Sequence, residues 1–303
     1  MKFAFPAIFA LLALALPAGA VVVNFDFNLR LGDDSNVGAG AAGDTYLGLG
    51  AAPDLAGNTH WNSVRRTGSS GSNAVSSASG LNSNQSGGGP VRDSAGVETN
   101  IDILLSTTTG VGGPTTIGHQ RTVNQQELGT ALALEDLMGD FIQVDAPGED
   151  DGFVGTVNGT INGLAANGLY EIYFYGQGAN YTGAFADDSS GANSLFAITD
   201  ILGGSIIGTA KQTGWTAPNG TLTEGVEFVK FTAMSNATGE IFFIWQNVVA
   251  GPGGNVVTDL APDSTGGASD FGALNGIQIR SIPEPSAFLL AALGAFGLLR
   301  RRR

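Results

Sequence analysis

The sequence contains no cysteine, and charged residues make up only 13% of its 303 residues. A chain without cysteine forms no disulfide and offers no thiolate to a metal ion. Low charge combined with 47 glycines and 43% hydrophobic residues is untypical of a helical cytosolic enzyme. Short apolar runs between glycine-rich turns instead indicate an extracellular, β-rich protein with a sizeable core.

Basic residues are especially few in the central part of the chain. Residues 21–280 hold eight Lys and Arg against 26 Asp and Glu, a formal charge of −18. Such a surface repels nucleic-acid phosphates, so we predict no nucleic-acid partner. Cations or neutral glycans are compatible with it, and a need for solubility alone explains it equally well.

Motifs of the common enzyme classes are also missing. The two histidines, His60 and His119, stand in no His-x-x-x-His or Glu-x-x-His arrangement, which zinc sites often use. The sequence has no Gly-x-Ser-x-Gly elbow and no Walker-type phosphate loop. A Ser-His-Asp triad stays open because its members need not be adjacent in sequence. We expect both histidines to be structural or merely exposed.

The N-terminus has the pattern of a secretory signal. Lys2 precedes the apolar stretch from Phe3 to Leu16, and Ala18-Gly19-Ala20 supplies the small residues of a cleavage site. An uncleaved membrane helix is the weaker alternative, since the stretch is short and Pro17 interrupts it. We predict a signal peptide over residues 1–20 and a mature chain that begins at Val21.

The C-terminus carries a second signal. Residues 286–299 are fourteen apolar or small residues, and a helix of that length spans roughly 21 Å. A relaxed membrane span needs about 20 residues, but local thinning or snorkelling side chains can make up the difference. We predict a transmembrane helix over 286–299 whose following cluster stays cytoplasmic. That cluster is Arg300, Arg301, Arg302 and Arg303.

Pro283, Glu284 and Pro285, the apolar helix and the terminal arginines resemble, in this order, the PEP-CTERM sorting signal of Gram-negative bacteria. The resemblance covers about residues 282–303. It implies that exosortase, a membrane-embedded peptidase, cleaves an inner-membrane-anchored precursor near the Pro-Glu-Pro residues. It further implies delivery to the cell surface or extracellular matrix, where proteins with this signal accompany polysaccharide production.

Between the two signals, β-branched and aromatic runs alternate with turns rich in Gly, Asn and Asp. This predicts one mainly β domain over residues 21–280, an antiparallel β-sandwich of jelly-roll type. The Ser/Gly/Asn-rich stretch near residues 68–90 is predicted to be a surface excursion within that domain. Helical spacing of apolar residues in Asn124 to Phe141 predicts one short helix, which Gly139 would end.

The run at residues 168–176 shows the clearest strand alternation. It predicts Tyr170, Ile172 and Phe174 on one face, with Tyr173 and Tyr175 on the other. The stretches GLYEIYFYGQG, LTEGVEFVKFTAM, GEIFFIWQN and LNGIQIR resemble the strands of galactose-binding-like and malectin-like sandwiches. That resemblance covers about residues 150–280 and implies a glycan-binding sandwich, without assigning a role to any residue.

Aromatic and amide side chains in or beside polar loops are the candidate sugar contacts. Sugars stack on flat rings, and amides hydrogen-bond their hydroxyls. The candidates are Trp61, Tyr175, Gln177, Tyr181 and Trp215. Each ring could equally well cap one end of the core.

One acidic turn is the candidate cation site. Asp145, Glu149, Asp150 and Asp151 gather the hard oxygen ligands that suit Ca²⁺. Their spacing differs from the helix-loop-helix calcium loop, and a solvated acidic turn explains them as well. Paired carboxylates could also hydrolyse glycosides, which requires a defined separation across a cleft.

Three functions are compatible with these patterns. We prefer an exported, non-catalytic sandwich that binds polysaccharide. The alternatives are a secreted glycoside hydrolase or polysaccharide lyase of the same architecture, and a purely structural surface protein. We expect no cofactor other than Ca²⁺. The expected partners are exosortase, an extracellular polysaccharide and, through the C-terminal helix before processing, the membrane.

Overall fold

The structure is a computed structural model. It describes residues 20–28, 46, 48–65, 91–110, 113–114, 116–121, 134, 137–138, 140–145, 155–176, 194–213, 221–247 and 271–283. Most of the predicted signal peptide, the excursion at 68–90 and the predicted membrane helix at 286–299 lie outside these residues.

The described residues form fifteen strands. These are β1 (Val22–Asn28), β2 (Asn62–Arg65), β3 (Asp102–Thr107), β4 (Thr109–Gly110), β5 (Gly113–Pro114), β6 (Thr116–Arg121), β7 (Asp140–Asp145), β8 (Thr156–Asn162), β9 (Leu169–Tyr175), β10 (Ser194–Thr199), β11 (Lys211–Gln212), β12 (Phe228–Met234), β13 (Ile241–Asn247), β14 (Phe271–Leu274) and β15 (Gly276–Ser281).

Two five-stranded sheets form the body of the domain. The first sheet has the order β12-β9-β15-β1-β2, and the second has the order β11-β10-β13-β8-β3. Strands β14, β7 and β6 form a three-stranded sheet, and β4 pairs with β5. The first and last strands of the domain are neighbours, in antiparallel register from Val22 opposite Arg280 to Asp26 opposite Gly276.

The two large sheets pack face to face, which confirms the predicted β-sandwich. The ring of Phe174, on the first sheet, stacks on Phe196 of the second with 4.8 Å between centroids. It also contacts Phe243 of the second sheet at 4.8 Å. All three rings are fully buried. The alternation predicted for β9 is confirmed, because Tyr170, Ile172 and Phe174 lie in this main core while the other two tyrosines do not.

One pair of strands departs from the antiparallel expectation. Strand β2 runs parallel to β1, with Phe25 opposite Asn62. Parallel neighbours need a long crossover connection, and residues 29–61 between the two strands supply one. Local strand patterns do not reveal the direction in which such a connection returns.

A second core covers the outer face of the first sheet. Trp61, Tyr173 and Tyr175 are buried there together with Leu137 and Met138. Leu137 and Met138 are helical, as is Leu134, and β7 begins at Asp140. The described part of the predicted helix therefore is helical, ends before β7 and packs its apolar side on a sheet. The rest of that prediction lies outside the described residues.

Within the ranges given above, no helix has the length and apolar character needed to cross a membrane. The segment predicted to do so begins at residue 286, beyond the last described residue.

Candidate functional site

The last strand delivers the chain to one end of the sandwich, which we call the anchor end. Strand β15 stops at Ser281, and Pro283 is exposed. The amide of Ser281 donates to the Val21 carbonyl at 2.8 Å, and the Val21 amide donates to Ser281 Oγ at 2.8 Å. The amide of Ile282 donates to the Leu169 carbonyl at 2.8 Å. The predicted mature N-terminus and the start of the Pro-Glu-Pro stretch are thus held side by side.

Two tight connections complete the anchor end. Residues 163–168 join β8 to β9, and residues 235–240 join β12 to β13. They are tied together because Leu164 N donates to Gly239 O at 3.0 Å and Ser235 Oγ donates to Ala165 O at 2.6 Å. Gly163 has a φ of 75°, where a side chain would be strained and would meet a backbone oxygen. The anchor end is therefore closely hydrogen-bonded.

The opposite end, which we call the distal end, is fastened by buried polar residues. Ser194 N donates to Thr213 Oγ1 at 2.9 Å, and Ser194 Oγ donates to Ala273 O at 2.6 Å. The Trp245 indole N–H donates to Ser194 Oγ at 3.1 Å. Thr213 Oγ1 also donates to Gly176 O. Buried polar groups are stable only when hydrogen-bonded, so these bonds fix where the adjoining segments start and end.

Most of the predicted ligand residues belong to segments rooted at the distal end. Residues 177–193 connect Gly176 to Ser194, and residues 214–220 follow Thr213. Gln177, Tyr181 and Trp215 fall in these segments and lie outside the described residues. The hydrogen-bonded Ser194–Thr213 pair leaves no local signal in the sequence, because its two members are 19 positions apart and each residue type is common in turns.

Trp61 is not an exposed ring. It is buried, its indole N–H donates to Gly48 O at 3.0 Å, and its ring lies edge-on to Tyr46 at 5.1 Å. Tyr175 is fully buried, accepts a hydrogen bond from Ala51 N at 2.6 Å and donates to Gln278 Oε1. Burial raises the pKa of Tyr175, so its hydroxyl stays neutral.

Neither of these two candidate sugar contacts is therefore an exposed ring. Residues 46 and 48–61 fold over the outer face of the first sheet and enclose them, which corresponds to the alternative that they cap the core. A ring with no accessible face cannot stack on a sugar. For the same reason, Trp61 does not line the open aromatic cleft that a glycoside hydrolase would need.

Buried polar side chains lie beneath the cover, the name we give to residues 46 and 48–61 on the outer face of the first sheet. Gln278 Nε2 donates to Asn24 Oδ1 at 2.7 Å, and Asn24 Nδ2 donates to His60 O at 2.8 Å. Ala52 N donates to Gln278 Oε1 at 2.9 Å. These side chains fasten the cover to the first sheet. His60 is half-buried within it, consistent with a structural role, whereas the side chain of His119, on β6, lies outside the description.

A charged group with several charged and polar partners lies near the anchor end. Glu171 pairs with Arg280 at 2.8 Å and with Lys230 at 3.7 Å. Burial raises the pKa of Glu171, but hydrogen bonds from Arg280 and Tyr173 and the charge of Lys230 outweigh it, so the pKa lies below the ordinary 4.5. The carboxylate is thus neutralised by neighbouring cations and is unsuited to bind a metal ion.

No group of three or more acidic or histidine side chains placed to hold a metal ion occurs among the described residues. Asp145 is the last residue of β7, and its side chain is outside the description. Glu149, Asp150 and Asp151 lie outside the described residues altogether. The predicted Ca²⁺ site therefore stays a prediction.

Comparison with known proteins identifies the C-terminal segment. Residues 281–303 match the PEP-CTERM protein-sorting motif. The match begins at the last residue of β15. The motif marks an exported protein with a membrane-anchored precursor and implies processing by exosortase. The interpretation of the terminal signal is thereby confirmed.

The chain has no match among curated proteins. Solved structures with partial likeness include the enzymatically active domain of tailspike protein 4 from bacteriophage CBA120, with 9% identity over 59% of this chain and 19% of that one, and a TM-score of 0.27. Another is TmCBM61 in complex with β-1,4-galactotriose, with 12% identity over 60% of this chain and 88% of that one, and a TM-score of 0.26.

A third is the K1 cleaved adhesin domain of Lys-gingipain from Porphyromonas gingivalis W83, with 10% identity over 59% of this chain and 90% of that one, and a TM-score of 0.29. This chain thus spans about a fifth of the tailspike chain. At these TM-scores the likenesses carry no argument about ligand or activity.

Proposed function

We propose that this chain is a non-catalytic β-sandwich protein of the cell surface or extracellular matrix, which binds polysaccharide through its distal end. Its proposed parts are a signal peptide at 1–20, the sandwich at 21–280 and the sorting signal at 281–303. The observation that carries the proposal is the direct continuity of β15 with the sorting motif. The sandwich is thus the cargo that the motif delivers.

Exposed Pro283 supports cleavage close to the sandwich. In this proposal exosortase cuts near Pro283, Glu284 and Pro285, and the terminal arginines keep the helix in the inner membrane until the cut. Because β15 is hydrogen-bonded up to Ser281 and Ile282, cleavage after Ile282 leaves every described strand intact. The released product keeps a complete first sheet.

Polysaccharide binding at the distal end is supported by the position of that end. Seven-residue strands such as β9 place it about 20 Å from the anchor end, at about 3.3 Å per residue. Gln177, Tyr181 and Trp215 belong to segments fastened there by Ser194 and Thr213. A polymer outside the cell would meet this end first. None of the large hydrophobic side chains exposed among the described residues is aromatic, which leaves Tyr181 and Trp215 as the better ring candidates.

The test is a polysaccharide-binding assay on the processed protein isolated from the producing cells. We expect Trp215→Ala and Tyr181→Ala each to weaken binding about tenfold, the effect of losing one stacking ring. Leu49→Ala, an exposed position among the described residues, is the control and should bind as the wild type does. Absence of binding to any polysaccharide would favour a purely structural protein. Release of shortened chains during the assay would favour a hydrolase or lyase.

The predicted Ca²⁺ site is tested separately by thermal melts with and without a chelator. If Asp145, Glu149, Asp150 and Asp151 hold the ion, chelation lowers the melting temperature, and Asp150→Asn removes that sensitivity. An unchanged melting temperature would contradict the site without affecting the sorting function.

A further inference from the structure

Apolar residues stand at the anchor end of four neighbouring strands of the first sheet. Met234 ends β12, Leu169 begins β9, Ile282 follows β15 and Val21 precedes β1, in the order of the strands in the sheet. Met234 and Leu169 are direct cross-strand partners. Ile282 is hydrogen-bonded to Leu169, and Val21 to Ser281. We call these four residues the apolar rim.

The rim is open to its surroundings. The side chains of Met234, Val21 and Leu169 are 66%, 41% and 39% exposed, and Ile282 is half-buried. Large apolar side chains gathered at one exposed edge usually mark a contact surface. Two positions inward on the same face of β15 and β9, Arg280 and Glu171 are charged and paired with each other. The surface therefore changes from apolar to charged within two residues of the edge.

The sorting motif places the rim very close to the membrane. Only residues 283–285 separate Ile282 from the proposed transmembrane helix at 286. Four residue steps, from 282 to 286, span at most about 14 Å when fully extended. The head-group layer alone occupies about 5–7 Å on each side of the hydrocarbon core. The rim of the precursor is therefore close to the outer surface of the head-group layer, no farther from it than about the thickness of that layer.

We propose that in the membrane-anchored precursor the apolar rim rests in the head-group region of the bilayer. This rests on the proposed function, because it requires the C-terminal helix to be inserted. The contact is apolar rather than electrostatic, since residues 21–280 carry a formal charge of −18 and gain nothing from anionic lipid. When this edge of the first sheet faces the membrane, its strands run outward and the distal end lies away from the bilayer.

The absence of cysteine allows a direct test by single-cysteine labelling. Met234→Cys and Leu169→Cys are introduced separately into the full-length precursor and carry an environment-sensitive fluorophore. The precursor is inserted into nanodiscs of zwitterionic lipid that contain a head-group spin label. Leu49→Cys is the matched control. Leu49 is 56% exposed, and it follows Gly48, whose carbonyl accepts a hydrogen bond from the Trp61 indole. Trp61 packs on Tyr175, the residue of β9 farthest from Leu169.

We expect quenching at both rim positions to be roughly threefold stronger or more than at Leu49, because the rim lies within the head-group layer and the control belongs to the segment bonded to Tyr175 and Gln278, nearer the distal end. Equal quenching at all three positions, or none at the rim of an inserted chain, would overturn the inference. Rim quenching or shielding that arises only after exosortase is added would also overturn it, since the peptidase would then be the occupant. Flotation of the unlabelled precursor is measured first. A chain that fails to enter the bilayer refutes the sorting function itself, an outcome distinct from an inserted chain with an unquenched rim.

Discussion

Replacing Trp61 by alanine removes a central ring of the second core. The indole is buried against Tyr46 and Tyr175, with centroid distances of 5.1 and 6.1 Å, and it donates a hydrogen bond to Gly48. A Trp→Ala change at a buried site costs about 3–5 kcal/mol in the free energy of unfolding. Domains of this kind are stable by about 5–15 kcal/mol, so the loss is a large share of the total.

Tyr175→Phe is the finer perturbation of the same core. It keeps the ring but removes the hydroxyl that accepts from Ala51 N and donates to Gln278. A buried amide left without an acceptor costs about 1–3 kcal/mol. Leu49→Ala, at an exposed neighbouring position, should change the free energy of unfolding by about 0.5 kcal/mol or less.

Urea unfolding followed by circular dichroism measures all three variants. We expect Trp61→Ala to lose the most stability, Tyr175→Phe less and Leu49→Ala almost none, while polysaccharide binding by the folded protein is unchanged in each. A Trp61→Ala variant that keeps its stability but loses polysaccharide binding would refute the reasoning. Trp61 would then be a ligand-binding ring and not part of the core.

Three further substitutions test the sandwich itself. Gly159→Ala should lower the free energy of unfolding, measured in urea, because the added Cβ would stand 2.0 Å from the ring of Phe243. Overpacking of this kind is destabilising by about 1–3 kcal/mol or more. A variant as stable as the wild type would contradict the close packing of the two sheets. Phe174→Ala should lower the free energy of unfolding by about 3–5 kcal/mol, and a loss below about 1 kcal/mol would contradict the stacked core. Glu171→Gln should cost about 1 kcal/mol at pH 7, since the amide oxygen can still accept a hydrogen bond from Arg280 but the negative charge of the ion pair is lost. The pKa of Glu171 is lowered, so its contribution is complete above the ordinary pKa of 4.5 and is lost as the pH falls through the folded pKa. The gap between wild type and Glu171→Gln should therefore close in acid, and a gap that widens in acid would contradict the ion pair.

Local patterns in the sequence account for the strands but not for what covers them. The alternation in β9 predicted the faces of Tyr170 and Tyr173 correctly, because a strand has a fixed period of two. Asn24 alternates with the apolar residues of β1 in the same way and would be expected to face water. It is buried, because Gln278, its cross-strand partner 254 positions away, hydrogen-bonds it and the segment that ends at His60 covers it.

The burial of Trp61 has a similar cause. Trp61 follows a polar, glycine-containing stretch, which favours an exposed loop. The structure encloses it because Gly48 and Tyr46, more than ten positions earlier, fold against the indole. Contacts of this range leave no periodic signal. The sorting signal, in contrast, was predictable in full, because its chemistry lies in one contiguous segment of 23 residues.

In the proposed function, the sandwich is cargo released by cleavage at the sorting motif. Mass spectrometry of the terminal peptides of the surface-located protein tests it most directly. The account predicts a mature C-terminus near Pro283 to Pro285, with the residues through Arg303 absent, while precursor that retains Arg303 stays in the inner membrane. A surface-located protein that still ends at Arg303 would contradict it.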